Sequence, residues 1–210
     1  MDFQTHTPTG VRTIRITIPR EPFGVLMSGG LDSSVMMCLI LQTYLLEGST
    51  VPFCAINVRR GFGTEVFFAR MIDRISSLFQ RQIDTISLPL PPGTADKDCL
   101  TVPAIPFLDN SPYKSVFSAD TSNPEGVRVD QAPERTPVEK QFSFKRWHLP
   151  FLHCDKSHVV QLMYNLGLTF IETESHTCFA SQDLRCGNCF QCQERAWAYK
   201  TLDLTDNGIY

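Results

Sequence analysis

Two groups of residues in this chain have the types and spacing to do chemistry. The first is Ser28-Gly29-Gly30-Leu31-Asp32-Ser33-Ser34, which follows a short apolar run and opens an apolar-periodic one. That order predicts strand, glycine turn and helix. Gly29 and Gly30 lack Cβ, so the backbone there can bend tightly and approach a ligand closely. Ser28, Ser33 and the first N–H groups of the helix then face one space. A helix N-terminus offers unpaired donors and a partial positive charge, which suits a phosphate. No G-x-x-x-x-G-K-[ST] string occurs, so an ordinary P-loop is not supported. The plain alternative is a Gly-Gly turn with Asp32 as N-cap.

The second group is Cys178, Cys186, Cys189 and Cys192, in the pattern C-x7-C-x2-C-x2-C. Thiolates at such spacing can surround one Zn²⁺ tetrahedrally with short closed loops between them. Gly187 allows the tight turn that brings Cys186 and Cys189 to one metal. The alternative is a pair of disulfides. The N-terminus, Met1-Asp2-Phe3-Gln4-Thr5-His6, is polar and carries no apolar segment of secretory type. A reducing, cytoplasmic setting favours metal over disulfides. With no open ligand position evident, the expected role is structural. Cys38, Cys54, Cys99 and Cys154 are scattered through apolar or loop segments and read as small hydrophobes.

The two signals together resemble one family. S-G-G-L-D-S, the C-x7-C-G-x-C-x2-C cluster and the Glu194-Arg195-Ala196 that follows are similar to the 7-cyano-7-deazaguanine synthase (QueC) family. That family belongs to the PP-loop N-type ATP pyrophosphatases, which split ATP into AMP and pyrophosphate. Pro150-Phe151-Leu152-His153-Cys154-Asp155-Lys156 resembles its P-x(4)-D-K segment before a helix. Thr173 to Cys178 resembles its approach to the first zinc cysteine. The resemblance runs from about Phe23 to Leu202 and is strong at the two ends.

The resemblance implies an ATP-dependent carbon–nitrogen ligase with ATP, Mg²⁺ and structural zinc. It would adenylate the carboxylate of a 7-deazapurine, 7-carboxy-7-deazaguanine or an analogue, for attack by ammonia, giving amide or nitrile. Met27, Ser28, Gly29, Gly30, Leu31, Asp32, Ser33 and Ser34 would hold the nucleotide with Asn57 and Val58. Asp32, as a Mg²⁺ ligand or only a helix cap, would act with Arg60 and Lys156, which neutralise phosphate charge. Asp120, Ser122 and Asn123 would line the substrate. The chain departs from the family after the second strand, where D-Y-G-Q-R-H is replaced by Asn57-Val58-Arg59-Arg60-Gly61-Phe62. The family's substrate loop has only a shadow in Asp120 to Glu125. Three other readings follow from those departures: a different amine acceptor, a nucleotide-binding protein without turnover, or a tRNA-modifying PP-loop enzyme.

The elements that must position these residues are legible in the first half. Val11 to Ile18 alternates apolar and polar and predicts an added edge strand. Phe23–Met27, Val51–Val58 and Ile83–Leu88 predict buried strands, with helices over 33–46 and 65–81 between them. This β-α-β-α-β order predicts a doubly wound, mostly parallel five-stranded α/β sheet of PP-loop type, with a C-terminal zinc subregion. From Pro89 to Pro112 the chain reads as proline-rich, and Gly126 to Glu139 as polar loop. Strands are expected over 113–119 and 142–150. Asp155 reads as the N-cap of a helix to Leu166, stopped by Gly167, and Gln191–Thr201 as a last helix.

Residues 1–22 then form an extension, 23–175 the nucleotide domain, and 176–210 a zinc knuckle and helix packed on it. A length of 210 residues with 42% hydrophobic content suits one domain with a sizeable core. No apolar run approaches the roughly 20 residues that span a bilayer. A net charge of −3 argues against a broad nucleic-acid surface. Arg59-Arg60 and 140–146 read as solvated positive patches. Small molecules are the expected partners. Homodimers are common among the proteins it resembles, and the 11–18 strand offers an edge for pairing across a two-fold, although nothing in the sequence demands it.

Overall fold

The computed structural model describes residues 1–60, 64–94, 98–123, 146–178 and 185–208. It opens with an antiparallel hairpin, β1 (Asp2–Thr7) and β2 (Gly10–Arg15). There follow β3 (Phe23–Leu26), α1 (Leu31–Leu46), β4 (Phe53–Arg59), α2 (Thr64–Leu78), β5 (Asp84–Pro89) and α3 (Thr101–Asn110). After them come β6 (Ser115–Phe117), β7 (Trp147–His148), α4 (Lys156–Asn165), α5 (Phe170–Glu174) and α6 (Phe190–Thr201).

Strands β3 to β7 form one sheet in the order β5-β4-β3-β6-β7, with every neighbouring pair parallel. The chain runs outward from β3 through β4 to β5. It then returns through α3 to β6, on the other side of β3. Beyond the C-terminal ends of β3 and β6 the connections diverge, which opens a crevice at the switch in strand order. The expected doubly wound parallel sheet is the one that forms.

Both faces of the central strands are covered, so β3 is buried throughout and β4 is buried from Phe53 to Val58. Phe23, Val25, Phe53, Ala55 and Phe117 belong to the larger core with residues of α1, α2 and α4. Leu26, Cys54, Ile56, Val58 and Val116 meet Leu108 of α3 in a second cluster. Helix α1 is buried on nearly every side because α4 and α5 pack against it.

Helix α3 occupies the segment that the sequence suggests is proline-rich loop. Pro103 stands in its first turn, where a missing N–H costs little, and only Pro106 is interior. Burial of Pro103, Ala104 and Leu108 outweighs that lost donor. Of the strand expected over 142–150, Trp147–His148 forms β7, while 142–145 lie outside the described residues.

The N-terminal extension corrects the sequence reading. The 11–18 segment is no edge of the main sheet: Gly10–Arg15 pairs instead with Asp2–Thr7 in a separate two-stranded sheet. The reason is side-chain destination, since Phe3, Ile14 and Ile16 enter the larger core. Thr5 meets His158 of α4, with His158 Nδ1 2.8 Å from Thr5 Oγ1 and Nε2 3.2 Å from Thr9 Oγ1.

Burial holds the His158 pKa below its usual value, against the opposing pull of Asp155. The unfolded chain therefore takes up this proton first as the pH falls below about 6.5. Stability from the buried neutral ring is complete above that pH and is lost as pH drops through the lowered folded value. Half-buried His148, whose partial burial also lowers its pKa, acts in the same direction. The melting temperature is expected to fall on acidification from about pH 7.5 to about pH 5.5, and His158→Gln to flatten the dependence. An unchanged slope in that variant would contradict the assignment.

Candidate active site and metal centre

The Ser28–Ser34 loop sits where the switch in strand order places it. Met27 N–H donates to the Ile56 carbonyl at 2.8 Å, extending the β3–β4 pairing to the start of the turn. Gly29 has φ +77°, and a Cβ there would lie 2.5 Å from the carbonyl carbon of Phe67 and 2.6 Å from Phe68 N. Only glycine fits both the conformation and the space. Gly30 N-caps α1 without a side-chain cap. The Gly30 N–H donates to Ser28 Oγ at 3.2 Å, and the Ser33 hydroxyl lies 3.3 Å from Ser28 Oγ. Ser34 is fully buried, its hydroxyl donating to the Gly30 carbonyl at 2.7 Å.

Among the described residues no side chain caps the first turn of α1, so its N–H groups face the C-terminal edge of the sheet with the donors and partial positive charge that an anion fits. Asp32 is the second residue of α1, so the N-cap alternative falls; Gly30 holds that position. Among the described residues, buried Asp32 Oδ1 has no hydrogen-bond partner.

Around this loop the other candidates differ in what they present. Met27 and Leu31 send their side chains into the core, leaving their backbone to the site. Asn57 is buried at the end of β4, where its Nδ2 donates to the Met27 carbonyl at 3.0 Å. Its Oδ1 is buried with no hydrogen-bond partner among the described residues. Val58 packs on the α3 side of the sheet. Arg60 is partly exposed just beyond β4, and Gly61 and Phe62 lie outside the described residues.

Asp120, Ser122 and Asn123 follow β6, across the switch point from the loop. The Ser118 hydroxyl donates to Asp120 Oδ2 at 2.9 Å. Ser122 donates its N–H to the Cys154 carbonyl at 2.8 Å and its hydroxyl to the Leu152 carbonyl. Ser122 thereby ties the 149–154 turn to the sheet, and its hydroxyl proton is already committed. Pro124 and Glu125 lie outside the described residues.

Lys156 begins α4 directly after Asp155, whose carboxylate caps the helix by accepting from Ser157 N–H at 2.9 Å. The sequence reading sets Lys156 against phosphate from the opposite wall. In the structure its ammonium contacts Asp32 Oδ2 and lies 3.2 Å from Glu194 Oε2. The sequence reading names Glu194 only within the Glu194-Arg195-Ala196 string after the last cysteine and assigns it no place in the site.

The Sγ atoms of Cys178, Cys186, Cys189 and Cys192 all lie within 4.8 Å of one another, and those of Cys178 and Cys189 are 3.9 Å apart. Tetrahedral bonds of about 2.3 Å to one ion set sulfurs about 3.8 Å apart, so the quartet has the dimensions of a metal site. Gly187, at φ +72°, makes the turn between Cys186 and Cys189. The N–H groups of Cys189 and Asn188 draw the Cys186 thiol down to about 6, toward the thiolate that ligation needs. By contrast, burial pushes the thiols of Cys54 and Cys154 up to about 11 and about 12.

The cysteine segment and the Ser28–Ser34 loop touch directly. His176, two residues before Cys178, donates its N–H to the Gly29 carbonyl at 3.1 Å. Its ring stacks on Phe67 at 4.1 Å. Helix α6 starts from the cysteine quartet, with Cys189 as its N-cap, and carries Glu194 to Lys156. Buried Arg195 holds Asp206 through two 2.8 Å contacts, Ser175 Oγ at 3.0 Å and the Glu172 carbonyl at 2.7 Å. This clamp fixes the approach to Cys178.

Comparison with known proteins follows the same outline. Residues 129–203 match the model of a family described as queuosine biosynthesis protein QueC. A curated relative, the 7-cyano-7-deazaguanine synthase of Chromohalobacter salexigens, is 31% identical over 61 residues. That stretch spans 29% of this chain and 24% of the relative, so about a quarter of the relative's length is matched. Among solved structures, the U34-tRNA thiolase NcsA from Methanococcus maripaludis, determined with its [4Fe-4S] cluster, is similar at a TM-score of 0.51 and 14% identity. That likeness covers 88% of this chain and 70% of the thiolase chain, and at such identity it concerns the fold. The resemblance to QueC and the PP-loop type of fold therefore hold. No helix among the described residues is long and apolar enough to cross a membrane.

Proposed function

We propose that this chain is an ATP-dependent ligase of QueC type, which joins ammonia to the carboxylate of a 7-deazapurine through an acyl-adenylate. One observation carries the reading: the uncapped S-G-G-L-D-S turn at the switch point is fastened to a metal-sized cysteine quartet. Three features fit a nucleotide: the close glycine at position 29, the open first turn of α1 and Asp32 Oδ1, which has no hydrogen-bond partner among the described residues. The first-turn N–H groups and Ser28 would seat the β- and γ-phosphates, and the Asn57 amide and the ends of β3 and β4 would border the adenosine. Arg60 would neutralise charge on the polyphosphate, and Asp120 and Asn123 would face the acid from across the switch point.

Catalysis here is positioning and charge neutralisation more than covalent work by side chains. The acid's carboxylate oxygen attacks the α-phosphorus, pyrophosphate leaves, and ammonia then displaces AMP from the acyl carbon. Asp32 has the hard oxygen that a nucleotide-bound Mg²⁺ takes as ligand, and the ion supplies charge neutralisation when present. The compact cysteine quartet suits one zinc ion, held for structure. An iron–sulfur cubane would set each sulfur on a different iron and spread the sulfurs further apart.

A second reading has one observation behind it, the fold shared with a tRNA thiolase. Exchange of labelled pyrophosphate into ATP separates the two. Exchange that needs the deazapurine acid supports the ligase, and exchange that needs tRNA supports the alternative. Exchange with neither removes both.

A further inference from the structure

Lys156 is a buried cation held between carboxylates from distant parts of the chain. Its side chain is 2% exposed, Glu194 is 1% exposed, and Asp32, the member nearest the phosphate loop, is 22% exposed. These three groups together carry one net negative charge. Charges this enclosed interact strongly, because little water screens them. Were the ammonium opposed by Asp32 alone, the carboxylate of Asp32 would be cancelled where it stands. Glu194 takes a share of the ammonium at 3.2 Å and leaves Asp32 an effective anion. The second Asp32 oxygen, Oδ1, is the one without a hydrogen-bond partner among the described residues. An anion at that point attracts a divalent cation and repels a bare polyphosphate.

We propose that Glu194 is a positioning residue: by sharing Lys156 it keeps Asp32 negative, so the loop prefers a metal-bound nucleoside triphosphate to a metal-free one. The inference rests on the nucleotide reading above and adds a specificity to it. It also gives Lys156 a role apart from direct phosphate contact. The ammonium sets how much charge Asp32 shows, and helix α6 sets how much of the ammonium Asp32 receives.

The test is calorimetric titration of the full chain with a non-hydrolysable ATP analogue, with excess Mg²⁺ and with EDTA. The readout is the ratio of the two affinities. Glu194→Gln, nearly isosteric, is expected to lower that ratio by about fivefold or more: the magnesium complex binds more weakly and the free analogue no worse. Lys156→Met combined with Glu194→Gln removes the ammonium together with the carboxylate that shares it, so Asp32 is no longer opposed by Lys156 and the ratio returns to at least the wild-type value. If E194Q alone does not fold, the double variant against wild type still decides, and a lowered ratio there overturns the proposal. A purely structural Glu194 would weaken both forms alike in E194Q and leave the ratio unchanged, which also overturns it. Wild-type protein that binds neither form overturns the nucleotide reading itself, and the two failures are thereby distinguishable.

Discussion

Cys189→Ser is expected to empty the cysteine centre and to weaken nucleotide binding in the same step. Cys189 is at once a member of the quartet, the N-cap of α6 and the residue whose N–H donates to Cys186 Sγ at 3.2 Å across the turn through Gly187. Structural metal sites contribute directly to folding free energy. Here a separate core already holds the sheet, so the loss should be about 2–4 kcal/mol, lowering the melting temperature by roughly 5–15 °C. The coupling to nucleotide has two routes. His176 anchors Gly29, and Glu194 reaches Asp32 through Lys156. With both loosened, affinity for an ATP analogue should fall on the order of tenfold, about 1.4 kcal/mol. Metal content, thermal melting and titration calorimetry on one preparation check this. A metal-free variant with wild-type melting and wild-type affinity would contradict it.

Gly29→Ala should have the larger effect on the nucleotide. At φ +77° an L-residue costs on the order of 1–2 kcal/mol before any contact is considered. The added methyl would then meet backbone of Phe67 at 2.5 Å, and backbone at the start of α2 cannot swing aside as a side-chain tip can. The loop must move, and a displacement near 1 Å can cost about a hundredfold in a positioned site. Gly30→Ala is the matched control. Gly30 has φ −80°, and its Cβ would meet nothing closer than Ser28 Oγ at 3.1 Å. Its loss of affinity should therefore be smaller by about tenfold. Equal losses in the two variants would mean that the close approach of Gly29 to α2 does not set the loop.

What the sequence makes legible follows from how local each feature is. The β3-α1-β4-α2-β5 run is visible because period and glycine punctuation are local. The cysteine quartet is visible because its members fall close together in the chain. Helix α3 hides because prolines suppress the helical signal, while its burial against the second face of the sheet depends on strands far away. The hairpin hides for a related reason: β1 alternates over only six residues, and its register is fixed by Ile14, Ile16 and His158. The capping role of Asp155 could be read directly. The role of Glu194 could not, because it depends on Asp32 and Lys156, which lie 124 positions apart, meeting at the base of α1. Ser122 could be named as polar and suitably placed, but its hydroxyl proton is committed to the Leu152 carbonyl, a pairing set by tertiary structure.

On the proposed reading, the switch-point loop activates a deazapurine carboxylate with ATP. Incubating the purified chain with Mg·ATP, ammonia and 7-carboxy-7-deazaguanine, then measuring pyrophosphate and product mass together, tests it most directly. Acid-dependent pyrophosphate release with an amide or nitrile product is expected, and loss of both in Gly29→Ala. Tight ATP binding with no acid-dependent release and no new product would contradict it.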